Sequence, residues 1–311
     1  MSVLKINGGV PLQGCVSVQG SKNSVLPILA ATLIHPGECV IHNCPNLSDV
    51  KNAIKILEYL GAQVKREGDT VIVNAAGMNC SDIPDCLMRE MRSSVIFLGA
   101  VLARCGHAVM SHPGGCELGP RPIDLHISAL RELGAEISEL GGQITCHAGE
   151  IYGCDINLSF PSVGATENVM LAAVHCTSKT RILNAAREPE IEDLQNFLCA
   201  LGAKVRGAGS SIIEIEGVAH THDAVHTVIP DRIVAATYLC AAAITGGDVL
   251  VENMLPKHIE AVSALLSECG CLLDIGENYI RIMRNGAMYP MQSIRTMPYP
   301  GFPTDAQLPL R

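Results

Sequence analysis

Val50-Lys51-Asn52-Ala53-Ile54-Lys55-Ile56-Leu57-Glu58-Tyr59-Leu60-Gly61-Ala62-Gln63-Val64-Lys65 decides the fold of this 311-residue chain. Val50, Ile54, Leu57 and Leu60 recur at helical spacing, and Gln63-Val64-Lys65 alternates as a strand does. Gly61 stands between them, where a helix ends in the left-handed region that glycine enters without steric cost. The same turn returns as Leu133-Gly134-Ala135, Leu201-Gly202-Ala203 and Cys269-Gly270-Cys271, at intervals of 73, 68 and 68 residues. A second landmark keeps the same beat. An alanine-rich apolar helix follows a polar cluster at Lys22-Asn23, at Arg92-Ser93-Ser94, at Thr166-Glu167-Asn168 and at Asp231-Arg232. Each unit reads as strand, buried helix, strand, amphipathic helix, strand, so the chain is an α/β repeat protein. Pro303-Thr304-Asp305-Ala306-Gln307 falls where a fifth unit is due to open.

Composition narrows the function classes. With 48% hydrophobic residues, 3% aromatic residues and no Trp, the core is aliphatic, and the length suits about two domains. A net charge of −9 without a basic cluster argues against nucleic-acid binding, so an anionic substrate has to be held by a few local cations. No apolar run is long enough for a membrane span. No secretory leader is legible at Met1-Ser2-Val3-Leu4-Lys5-Ile6, which places the chain in the reducing cytoplasm. The 14 cysteines therefore read as free thiols, mostly buried. No CxxC pair occurs, so no metal is expected.

The helix openings carry Lys22, Arg92, Asp231 with Arg232, and Asp305. Helix N-termini attract anions through unpaired N–H groups and the dipole, although one charge at a helix start is ordinarily a cap or a solvated group. His112-Pro113-Gly114-Gly115-Cys116-Glu117-Leu118-Gly119-Pro120-Arg121-Pro122 is a stiffened loop whose thiol, close to Arg121, is either reactive or incidental to a turn. Ser162-Val163-Gly164-Ala165-Thr166 offers hydroxyls and close backbone approach before a helix, a possible phosphate cradle without the lysine of a P-loop. His220, His222 and His226 alternate along a strand end and read as solvated surface rather than as a metal site.

Taken with Gly20-Ser21-Lys22-Asn23, Arg121-Pro122-Ile123-Asp124-Leu125-His126, Ala186-Arg187-Glu188-Pro189-Glu190-Ile191 and Phe302-Pro303-Thr304-Asp305, these motifs occur in one order along residues 1 to 307. In that combination the chain closely resembles the UDP-N-acetylglucosamine 1-carboxyvinyltransferase family of enolpyruvyl transferases. The resemblance implies an inside-out α/β barrel of two domains. One is formed by residues 22–229, and a discontinuous one by residues 1–21 with 230–311. It implies transfer of the enolpyruvyl group of phosphoenolpyruvate to the 3-hydroxyl of UDP-N-acetylglucosamine with release of phosphate, without a cofactor, as the first committed step of peptidoglycan synthesis. Nucleic acid and membrane are not among the implied partners.

By the same resemblance Lys22 holds the phosphoenolpyruvate anion with Asn23 beside the sugar. Cys116 protonates the enolpyruvyl methylene, forms a phospholactoyl adduct and is the thiol alkylated by fosfomycin. Arg121 contacts phosphate, and Arg121, Pro122, Ile123, Asp124 and Leu125 line the uridine pocket. Arg92, Ser162, Val163 and Gly164 contact the nucleotide sugar, and Asp305 accepts or orients the 3-hydroxyl proton. Two departures follow. Some family members carry lysine where this chain has Phe160. The family also continues past the Pro-Thr-Asp segment, whereas Leu308-Pro309-Leu310-Arg311 does not read like it. The discontinuous domain is thus expected to be incomplete and turnover low. The competing readings are an enolpyruvylshikimate-phosphate synthase and an inactive nucleotide-sugar-binding remnant.

Overall fold

Each repeat begins with a strand that feeds a helix apolar on nearly every side. The computed structural model describes residues 3, 5, 7–114, 123–290 and 294–307. The first repeat comprises β1 (Gln13–Ser17), α1 (Lys22–Ala31), β2 (Glu38–His42), α2 (Ser48–Tyr59), β3 (Gln63–Glu67) and β4 (Thr70–Asn74). The second has β5 (Asp82–Ile83), a short α3 (Asp85–Glu90), α4 (Phe97–Cys105), β6 (His107–Ser111), α5 (Asp124–Glu132), β7 (Glu136–Leu140) and β8 (Gln143–His147). The third has β9 (Asp155–Asn157), α6 (Val163–Ala172), β10 (Lys179–Leu183), α7 (Pro189–Ala200), β11 (Lys204–Arg206) and β12 (Ile212–Glu216). The fourth has β13 (Ala224–Thr227), α8 (Arg232–Thr245), β14 (Asp248–Glu252), α9 (Glu260–Glu268), β15 (Leu272–Ile275) and β16 (Tyr279–Met283).

The helix-ending glycines lie where the sequence puts them. Gly61, Gly134, Gly202 and Gly270 have φ of +98°, +95°, +95° and +92°. The paired bonds of a Schellman motif close each helix, as in Gly61 N–H to Glu58 O at 3.1 Å and Ala62 N–H to Leu57 O at 3.0 Å. The strand after each amphipathic helix is the first arm of a hairpin, a feature the five-element reading missed. The added strands β4, β8, β12 and β16 pair antiparallel to their neighbours on both sides. Turn residues such as Gly68-Asp69 and Gly141-Gly142 make this possible by reversing the chain within a few residues.

Four four-stranded sheets result, in the orders β13-β2-β4-β3, β5-β6-β8-β7, β9-β10-β12-β11 and β1-β14-β16-β15. In each, the first pair is parallel and the rest antiparallel. The first strands of repeats one and four are exchanged: β1 pairs with β14, Gln13 opposite Asp248, and β13 with β2, Ala224 opposite Cys39. This exchange divides the chain into a unit of residues 20–229 and a unit of residues 1–19 with 230–311. In the larger unit α1, α4 and α6 are buried along almost their whole length, as helices apolar all round must be. In the smaller unit α8 buries Ala235, Ala236, Leu239, Ala242 and Ala243 but leaves Tyr238 and Ile244 exposed.

A recurring clamp was not legible in the sequence. Asn43, Asn184 and Asn253 follow β2, β10 and β14 with φ of +58°, +57° and +53°. Their side-chain amides donate to the carbonyls of Val228, Leu158 and Val18 at 2.8, 2.8 and 2.6 Å. Each bond ties the chain leaving one strand to the chain leaving its parallel neighbour. The second repeat has His112 at that place instead. The described cysteines are all free and seven of them are buried. Among the described residues, no helix is long and apolar enough to cross a membrane.

Candidate active site

Three of the four apolar helices are capped by side chains. Ser21 Oγ accepts from Ser24 N–H at 3.3 Å, and Ser162 Oγ from Ala165 N–H at 3.4 Å. Asp231 accepts from Ile233 and Val234 N–H at 2.9 and 3.0 Å. Lys22 and Asn23 therefore sit in the first turn of a fixed helix, with Lys22 Nζ 3.6 Å from Asp49 at the start of α2. The second repeat opens differently: no side chain caps Met91, and a 3-10 turn starts at Arg92. Arg92 Nη2 is buried without a hydrogen-bond partner. An unsatisfied guanidinium donor is costly, and an anion would relieve it.

A groove of about 950 Å³ is lined by His112, Pro113, Ile123, Asp124, Leu125, Arg131 and Ser159. Behind it α5 packs against α6. Asn168 on α6 is fully buried, and its amide oxygen accepts from Gly99 N–H at 2.8 Å. Its NH2 group donates to Val95 O at 3.0 Å and to His126 Nδ1 at 2.7 Å. With Nδ1 accepting, the imidazole is the neutral Nε2–H tautomer, and burial pushes its pKa down to about 4. The ring packs so closely on α6 that a Cβ at Gly164 would come within 2.8 Å of it. Gly164 is thus required by the approach of α5, which joins Asp124 and Leu125 to the Ser162–Gly164 turn. Thr166 narrows the proposed cradle. Its hydroxyl donates to Ser162 O at 2.8 Å and accepts from Ala186 N–H at 3.1 Å, so it has nothing to offer a phosphate.

The next residue, Glu167, is buried and its pKa is raised well above the carboxylate range, first by desolvation and then by Glu190 and Glu188. The folded state keeps its proton while the unfolded chain loses it above about pH 4.5. Stability is therefore lost as pH rises from there. Glu167→Gln is expected to raise Tm by a few degrees at neutral pH and by less at pH near 4.5, measured by thermal melts across that range. A variant no more stable than the parent at neutral pH would contradict this.

In the smaller unit Asp305 lies in a 3-10 turn with a half-exposed side chain. Buried Arg232 reaches to 3.9 Å from its carboxylate and stacks 5.8 Å from the Tyr299 ring centroid. Cys116, Arg121 and Pro122, also expected at the site, lie outside the described residues. The three histidines divide. His220 and His222 are exposed, but His226 is largely buried and its Nε2 lies 2.8 Å from Asp193, so the surface reading fails there. Asp193 itself was missed. The available signal was an acidic residue between Glu190 and Leu194 on the buried face of α7.

Comparison with known proteins places the chain. A profile of EPSP synthase (3-phosphoshikimate 1-carboxyvinyltransferase) matches residues 6–310. UDP-N-acetylglucosamine 1-carboxyvinyltransferase 2 of Caldanaerobacter subterraneus subsp. tengcongensis is 53% identical over 307 residues, covering 99% of this chain and 74% of that protein. The chain belongs to the enolpyruvyl transferase family. A second relative, UDP-N-acetylglucosamine 1-carboxyvinyltransferase 1 of Symbiobacterium thermophilum, is 50% identical, covering 97% of this chain and 70% of that protein. Solved structures show the fold of this family. The enolpyruvyl transferase NikO from Streptomyces tendae superposes with a TM-score of 0.83 at 22% identity, covering 98% of this chain and 73% of that one. EPSP synthase from Acinetobacter baumannii follows at a TM-score of 0.70 and 20% identity, covering 97% and 69%. The architecture is the two-domain, repeated α/β arrangement of enolpyruvyl transferases.

Proposed function

We propose that this chain transfers the enolpyruvyl group of phosphoenolpyruvate to the 3-hydroxyl of UDP-N-acetylglucosamine in the cytoplasm, feeding peptidoglycan synthesis. The observation that carries the reading is identity of 50–53% with two enzymes named for that reaction, against 20% with EPSP synthase. The ordered motifs agree with it.

In this reading the sugar hydroxyl adds to C2 of phosphoenolpyruvate while C3 takes a proton from Cys116. The tetrahedral ketal then loses a C3 proton and inorganic phosphate, leaving the enol ether. Lys22, at the positive end of α1, meets the carboxylate and phosphate charge together with Arg121. Arg92 supplies its unsatisfied guanidinium donor to the nucleotide sugar. The groove beside α5 receives the uridine against Ile123, Asp124 and Leu125. Asp305 takes the hydroxyl proton, with the Arg232 guanidinium 3.9 Å from its carboxylate.

The test is phosphate release from phosphoenolpyruvate by the purified protein with each acceptor in turn. Release with UDP-N-acetylglucosamine and none with shikimate 3-phosphate is the expected result. Release with shikimate 3-phosphate, or with neither, overturns the proposal.

A further inference from the structure

The first turn of α1 is held from below by one buried carboxylate. Asp193 on α7 is 2% exposed and belongs to the larger unit, as do all its partners. Its Oδ2 accepts the hydroxyl proton of Ser24, itself fully buried, and the N–H of Ile229 at 3.2 Å. Its Oδ1 accepts from His226 Nε2 at 2.8 Å, and the His226 ring stands edge-on to Phe197 at 5.6 Å. Ile229 in turn accepts the N–H of Ser21, the N-cap of α1, at 2.8 Å. Asp193 thus grips α1 at two points, directly at Ser24 and through Ile229 at Ser21. Lys22 and Asn23 are the two residues between those points.

The repeat itself does not call for an acid there. The place Asp193 holds relative to its helix-ending glycine is taken by Asn52, Leu125 and Ala261 in the other three repeats. Taking a carboxylate out of water is costly even when both its oxygens are hydrogen-bonded, and an apolar residue would fill the same place at less cost. The one repeat with the acid is the one whose α7 faces the helix tip bearing Lys22.

We infer that Asp193 is a positioning residue for the phosphoenolpyruvate-binding tip of α1, acting through Ser24 and Ile229 to fix Lys22 and Asn23. This rests on the enolpyruvyl-transfer reading. It adds that precision at Lys22 is set by a group that touches no substrate.

The test compares Asp193→Ala, Asp193→Asn and the parent by steady-state kinetics and by amide hydrogen exchange. Asn can replace the carboxylate: its oxygen accepts from Ser24 and Ile229, and its NH2 group donates to the other tautomer of His226. Asp193→Ala is expected to raise the KM for phosphoenolpyruvate about tenfold, and that for UDP-N-acetylglucosamine, which meets this tip at Asn23 alone, by less than about threefold. It is also expected to speed exchange about tenfold in residues 21–27 but not in residues 123–131. Asp193→Asn restores both quantities to within about threefold of the parent. Equal shifts in the two KM values, unchanged exchange at 21–27, or an Asn variant that behaves like Ala overturns the inference. If the parent shows no turnover, the functional reading fails and the exchange comparison alone decides the positioning role. If Asp193→Ala does not fold, Ser24→Ala serves, with about a threefold increase in exchange at 21–27 expected and no increase fatal.

Discussion

Lys22→Gln is expected to lower kcat/KM for phosphoenolpyruvate by about 10²- to 10³-fold, the usual effect of removing one fixed charge-stabilising donor. The argument begins with placement. Lys22 is the first residue of an N-capped helix, where unpaired backbone N–H groups and the macrodipole already favour an anion. Its ammonium lies 3.6 Å from Asp49, an exposed pair worth at most about 1 kcal/mol, which a multiply charged ligand can outcompete. Glutamine keeps a polar, helix-compatible side chain one atom shorter and leaves the cap at Ser21, so the helix stays and the charge goes. Lys22→Arg is expected to recover little, because a planar fork does not present the point charge that three ammonium donors do. The KM for UDP-N-acetylglucosamine should move by less than about threefold, since that ligand is assigned to the α5 groove and Arg92. Initial rates at varied concentrations of each substrate check this. A Lys22→Gln enzyme within about tenfold of the parent would remove Lys22 from the anion site.

How much of this could be read in advance depends on which physical signal carried it. The helix-ending glycines were legible because only glycine tolerates φ near +95° cheaply, so four helices ending alike left four identical turns. The buried helices were legible because a helix apolar all round has one place to go. The added hairpin strands were not, because only two residues separate β3 from β4 and β7 from β8, so each hairpin passed for a single strand. The exchange of β1 and β13 was invisible for a different reason. It pairs residues more than 180 positions apart, and nothing local distinguishes β1 from the unexchanged first strands β5 and β9. In the site, Lys22 and the Ser162–Gly164 turn stood out as helix openings. Asp193 did not, and Asn168 was read as part of the polar opening of the third apolar helix although it lies within α6, since a polar residue within a buried helix face does not announce its partners.

Asn168 carries the second large effect. Removing its side chain by Asn168→Ala leaves Gly99 N–H and His126 Nδ1 without that partner and takes one of its donors from Val95 O, all around a fully buried residue. At about 1–3 kcal/mol for each buried unsatisfied group, partly relieved by relaxation, the loss is about 3–5 kcal/mol, or roughly a 10 °C fall in Tm. The same site sets a pH dependence whose sign is fixed. His126 has a folded pKa of about 4 against about 6.5 in the unfolded chain. Above the unfolded value both states are neutral and nothing changes. Between about pH 6.5 and 4 the unfolded chain takes a proton that the folded state refuses, so stability falls as pH falls, by ~3 kcal/mol over the window. Asn168→Asp should reverse this, because a carboxylate facing Nδ1 favours the imidazolium and pulls the folded pKa upward. Thermal melts across the window, with an NMR titration of the His126 ring, measure both. A parent His126 that titrates near 6.5, or an Asp variant with an unchanged acid slope, would show that the amide does not hold the ring neutral.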